Sequence, residues 1–122
     1  MYVYFNPNPV GITVGDCVVR ALAKALDISW EDAFALVCTN GFRMGDMPSS
    51  DSVWGSVLRQ HGFYKKALQG DDTADDFCRR NPKGVFVLGF GGHTATVVDG
   101  NLYDSWNSLN EIPIYVWYEK EV

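Results

Sequence analysis

The chain has 122 residues and a mass of 13.6 kDa, about one domain's worth. Hydrophobic residues make up 47% and charged residues 20%, which is too apolar for disorder. No apolar run approaches the roughly 18–20 residues of a membrane span. The net charge is −5, and the ten basic residues are scattered rather than gathered into the face or stripe that nucleic-acid binding needs. Met1 to Asn6 carry no basic region ahead of an apolar one, so no secretory signal is read and a cytoplasmic location is expected. Cys17, Cys38 and Cys78 are odd in number and widely spaced, fitting neither a disulfide framework nor a zinc site.

Residues 6–16 are rich in turn formers and predict a loop. A first helix is expected from Cys17, with Asp16 as its N-cap. Val18, Ala21, Leu22 and Ala25 form its buried stripe, Arg20, Lys24 and Asp27 lie on the other side, and Cys17 sits at the stripe's edge. A second helix follows Ser29, with Trp30, Ala33, Phe34 and Val37 inward and Asn40-Gly41 as its stop. Residues 41–50 then read as a loop. A third helix spans 51–60, burying Val53, Trp54, Val57 and Leu58, and a short fourth covers 73–80 before Asn81-Pro82. From residue 85 the period changes, and 85–90, 94–98, 102–105 and 114–118 predict strands. Helices first and strands afterwards make a single α+β domain over residues 1–122, with N-terminal helices and a C-terminal antiparallel sheet.

Asp99-Gly100 is a strong two-residue hairpin signal. With those residues as the turn, Ala95 pairs with Asp104, and His93 becomes the diagonal neighbour of Asp104 on the same face. Diagonal positions are about 7–8 Å apart, within reach of an imidazole and a carboxylate. A cysteine in the first turn of a helix meets free N–H groups and the positive end of the macrodipole, which favour the thiolate. Cys17 as nucleophile, His93 as base and Asp104 as orienter therefore supply the three roles of covalent catalysis. Asn107 and Asn110 are rival orienters beyond the predicted pairing. Gly91 and Gly92, just before His93, leave room for a substrate backbone, so Gly92 joins the candidate substrate-binding residues.

At these residues the chain resembles the papain-like cysteine peptidase superfamily, in the order Cys, His, Asp and in the stretch from Gly91 to Trp106. Asp104-Ser105-Trp106 is similar to that family's Asn-Ser-Trp element, which implies that Trp106 shields the orienter–histidine hydrogen bond. The segment from Asn8 to Ala21 is similar to small proteins of this fold in phages and gut Firmicutes, relatives of double-glycine-leader peptidases. The resemblance implies a minimal papain-like fold and thiol-dependent hydrolysis of an amide bond in a peptide or protein, in a bacterial cell or a phage-infected host. It also implies an oxyanion hole, made by the Cys17 N–H and a Gln about six residues earlier. Gly11 stands at that position, and Asn8, in preference to Asn6, is the candidate to donate instead.

Other readings compete. The same triad serves acyl or amine transfer and cell-wall amidase chemistry, and the fold without activity would make a binding module that inhibits a host protein. Cys38 and Cys78 read as small hydrophobes, His61 as a helix-end cap, and Trp30 and Trp54 as packing. The acidic cluster at Asp71, Asp72, Asp75 and Asp76 reads as a turn and helix start. No metal or cofactor, and no nucleic-acid or membrane partner, is expected.

Overall fold

Apolar side chains recur at helical spacing through residues 17–60 and give way from 85 onward to short runs rich in β-branched and aromatic residues. The computed structural model, which describes residues 1–119, folds these stretches accordingly. The order is β1 (Tyr2–Tyr4), α1 (Cys17–Leu26), α2 (Trp30–Met44), α3 (Asp51–Gln60), β2 (Phe63–Ala67), α4 (Ala74–Arg80), β3 (Val85–Phe90), β4 (His93–Val98), β5 (Asn101–Asp104) and β6 (Tyr115–Glu119). The class is α+β, as the residue pattern predicts.

The strands form one six-stranded sheet in the order β1-β5-β4-β3-β6-β2. Four of its pairings are antiparallel, but β1 runs parallel to β5, with Tyr2 opposite Leu102 and Tyr4 opposite Asp104. The sheet is therefore mixed, and not wholly C-terminal, contrary to the sequence expectation. Strands β1 and β2 escaped that reading for a physical reason. Both are edge strands, where one-sided pairing relaxes the need for alternating burial. In β2 only Phe63 is buried, while Lys65 and Lys66 face outward.

Alternation along the central strands divides the core. Val87 and Trp117 pack with Leu22, Val37, Trp54 and Leu58 under α1–α3. Leu88, Val97, Leu102 and Val116 face the opposite way, against Ala74 and Cys78 of α4. Helix α4 is held by a complete capping box between Thr73 and Asp76. Cys78 is buried there as a small apolar residue, and His61 ends α3 with Nδ1 2.8 Å from the Val57 carbonyl.

Helix α2 does not stop at Asn40-Gly41. It continues to Met44 and closes on Gly45, at φ 68°. Both expected stop residues are instead used for packing. Asn40 is buried and donates to Ser56 Oγ of α3 at 2.9 Å, and a Cβ at Gly41 would come within 2.8 Å of the Asp46 carbonyl. Among the described residues, no helix is long and apolar enough to cross a membrane.

Candidate active site

The turn that decides the site is Asp99-Gly100. Both residues have positive φ, 50° and 79°, as a type I′ turn requires. Val98 pairs with Asn101, and Thr96 with Tyr103, the register that places His93 and Asp104 on one face. His93 Nε2 lies 2.7 Å from Asp104 Oδ2. Helix α1, which begins with Cys17, packs across β4, where the Thr96 hydroxyl donates to the Ala21 carbonyl at 2.7 Å.

Cys17 opens α1 and is half-buried, at the edge of the apolar stripe as expected. The His93 side chain and the Thr94 main-chain N–H are the groups near enough to act on its sulfur. With Nε2 on Asp104, Nδ1 is the ring nitrogen left for the sulfur. Burial pushes the Cys17 thiol up, but the nearness and charge of His93, the Thr94 N–H and the Arg20 charge together bring it below its ordinary value. Burial pulls His93 down, and the hydrogen bond and charge of Asp104 with the nearness and charge of Cys17 outweigh it, raising the imidazole to about 9. Burial likewise opposes ionisation of Asp104, yet hydrogen bonds from His93, Ser108 and the Ser105 N–H hold it below the usual carboxylate range. A depressed thiol beside a raised imidazole is the condition for a thiolate–imidazolium pair.

Asp104 is fully buried, and its carboxylate accepts four hydrogen bonds. Oδ2 takes His93 and the Ser108 hydroxyl at 2.6 Å, and Oδ1 takes the Ser105 N–H at 2.7 Å and Arg20 Nη2 at 3.1 Å. Arg20 is thus not on the solvent side of α1, as the helix pattern predicts; it is 4% exposed. Asp16 holds the N-cap position of α1 as expected, its main-chain oxygen accepting the Arg20 N–H at 2.8 Å. Its carboxylate does not cap α1 but accepts Arg20 Nη1 at 2.6 Å and the Trp30 indole N–H at 2.9 Å. A buried guanidinium and a buried carboxylate four residues apart satisfy each other better than a cap would.

Phe90 and Trp106 flank the His93 ring, with centroids at 5.9 and 4.9 Å. Asn107 and Asn110, the rival orienters, are both exposed, and the Asn107 amide oxygen accepts the Leu109 N–H. Asn6 donates its amide N–H to the Ile12 carbonyl at 3.2 Å. Asn8 lines the cleft beside Cys17, with its amide oxygen accepting the Val10 N–H at 2.9 Å. Gly92 lies on the cleft wall at φ 74°, with open space where a side chain would stand.

The cleft in front of Cys17 and His93 has a volume of about 880 Å³, within the range of small-molecule and peptide sites. Ile12, Val14, Trp30, Phe34, Trp54 and Ile114 give it apolar walls, and no Lys or Arg is among its lining residues. Trp30 and Phe34 stack at 5.0 Å on its rim, so Trp30 is a wall residue rather than mere packing, and Trp54 combines both roles. Pro48 and Ser49 bring the α2–α3 connection to the cleft.

Sequence reasoning missed Tyr115. Its ring covers Gly89, where any Cβ would run into it, and it lines the cleft near Asp51 and Cys17. Burial, with those two negative groups, pushes its phenol up to about 12, so it stays a neutral donor. Arg20 and Ser108 were missed too. The signal for Arg20 was a charge inside the apolar run from Val18 to Leu22; Ser108 had none. Among the described residues no group of three His, Cys, Asp or Glu side chains is arranged to hold a metal ion. The chain matches no protein-family model, no curated protein and no solved structure.

Proposed function

We propose that this protein is a thiol-dependent hydrolase that cleaves an amide bond in a peptide or protein, in the manner of papain-like cysteine peptidases. The observation that carries this reading is the shared histidine. His93 bonds Asp104 through Nε2 at 2.7 Å while its other side meets a cysteine at a helix start. We further propose that it acts in the cytoplasm of a bacterial cell or a phage-infected host.

The chemistry follows from the ion pair. The Cys17 thiolate attacks the scissile carbonyl carbon, forming a C–S bond and driving the carbonyl electrons onto oxygen. The free N–H groups at the start of α1 and the Asn8 amide are the donors for that oxyanion. When the carbonyl re-forms, the C–N bond breaks and the departing nitrogen takes the proton from His93 Nδ1. A water then gives a proton back to Nδ1 and attacks the thioester. The C–S bond breaks, releasing the acid and restoring thiolate and imidazolium. Asp104 stays ionised and holds the ring in place.

The test is the rate of Cys17 alkylation by iodoacetamide against pH, read by peptide mass spectrometry in wild type and His93→Ala. Cys38, also half-buried, is the internal control. Cys17 should label at least about tenfold faster than Cys38 at pH 6.5 and lose that advantage in His93→Ala. Equal labelling of the two cysteines, unaffected by His93, would refute the thiol chemistry.

A further inference from the structure

A buried guanidinium behind the triad supports an inference that rests on the thiol reading and extends it. Arg20 lies on α1, three residues after Cys17, and its fork is shared by two carboxylates. Nη1 is 2.6 Å from Asp16 Oδ1 and Nη2 is 3.1 Å from Asp104 Oδ1. All three side chains are almost entirely shielded from water. The second oxygen of Asp16 is occupied by Trp30, and that of Asp104 by His93 and Ser108. From β1, the Tyr2 hydroxyl reaches the Asp104 main-chain oxygen at 3.2 Å. Asp16, Arg20, Asp104, His93 and Cys17 thus form a row whose charges alternate in sign once the ion pair has formed.

A carboxylate buried this deeply needs a counter-charge. His93 provides one only while it carries both ring protons. In the thioester state it has given one to the leaving nitrogen and is neutral. Arg20 keeps its charge throughout, because a guanidinium does not titrate in this range. We propose that Arg20 is a positioning residue of the triad. It is the permanent counter-charge of Asp104, it fixes Oδ1 so that Oδ2 faces His93, and it ties the strand bearing Asp104 to the helix bearing Cys17. The planar fork suits this task, since it binds two carboxylates in one plane where an ammonium serves as a single point charge.

The test is the pH profile of Cys17 alkylation in Arg20→Met, Arg20→Lys, Asp104→Asn and Arg20→Met/Asp104→Asn, with folding followed by circular dichroism and Cys38 as the control. Arg20→Met should slow Cys17 labelling at pH 6.5 by about tenfold and move its midpoint to higher pH, with Arg20→Lys recovering only part of the loss. In the Asp104→Asn background the same Arg20→Met change should cost less than about threefold, because the triad carboxylate that Arg20 serves is gone and only Asp16, which does not touch His93, keeps the guanidinium as a partner. A folded Arg20→Met with the wild-type profile would overturn the proposal, as would an equal loss in both backgrounds. Should Arg20→Met alone fail to fold, Arg20→Lys and the charge-neutral double variant decide. A folded Arg20→Lys with the wild-type rate and midpoint overturns it, and so does a double variant about tenfold slower than Asp104→Asn. Equal labelling of Cys17 and Cys38 in the wild-type protein is a different failure, which removes the thiol reading itself.

Discussion

At the level of single residues, His93 has two partners that both favour its charged form, and burial that does not. The partners prevail, and the imidazole sits at about 9. The thiol is shifted the other way, below its ordinary value. The sign of the pH dependence follows. Thiolate appears as pH rises through the depressed Cys17 value, and the proton needed by the leaving nitrogen disappears as pH rises through about 9. Amide hydrolysis should therefore hold a plateau below 9 and fall about tenfold per unit above it, whereas alkylation, which needs no proton donor, should not fall there. Paired pH profiles of the two reactions measure this directly. A common alkaline decline would mean that unfolding, not His93, limits activity.

At the level of elements, the site depends on a two-residue turn. Asp99 accepts the Gly84 N–H on its side chain at 2.9 Å and donates its own N–H to the Gly84 carbonyl at 2.9 Å, which pins the β4–β5 hairpin to the start of β3. Gly100 has φ 79°, and a Cβ there would stand 3.3 Å from the Cys78 carbonyl and 3.4 Å from Pro82 Cα. Gly100→Ala combines left-handed strain with a backbone contact that cannot yield easily. It should lower stability by about 2 kcal/mol, read as a fall in the urea midpoint. An unchanged midpoint would show that the turn can adopt another form. A register slip of one residue would turn Asp104 to the opposite face, so a loosened hairpin should also slow Cys17 alkylation in molecules that remain folded.

At the level of the whole molecule, the cleft lies where the start of α1, the α2 rim, the α2–α3 connection and the β3–β4 turn meet. Its walls are apolar, its lining contains no Lys or Arg, and the chain carries a net charge of −5. A peptidyl electrophile with Leu or Phe beside its reactive carbon should therefore inactivate Cys17 at least about tenfold faster than one with Glu. Phe34 is 45% exposed on the rim, so Phe34→Ala should leave the melting temperature nearly unchanged and reduce that preference severalfold. Equal inactivation rates for the two electrophiles would place substrate recognition outside the cleft.

Much of this was legible in the residues alone, because it depends on local rules. The starts of α1 and α3, the Ser29 cap of α2, the full extent of β3 and the Asp99-Gly100 register all follow from propensity, capping and turn chemistry within a few residues. That register in turn brings His93 to Asp104. Contacts between distant segments were not legible in this way. The parallel pairing of Tyr2–Tyr4 with β5, the use of Asn40 and Gly41 for helix packing, and the wall formed by Trp30, Phe34 and Tyr115 each join parts of the chain that carry no local sign of their partner. Arg20 shows the division most clearly. Helical periodicity assigns a charged side chain to solvent, since burying an unpaired charge is costly; only the tertiary structure, by placing Asp16 and Asp104 on either side of it, makes the interior the stable place for that charge.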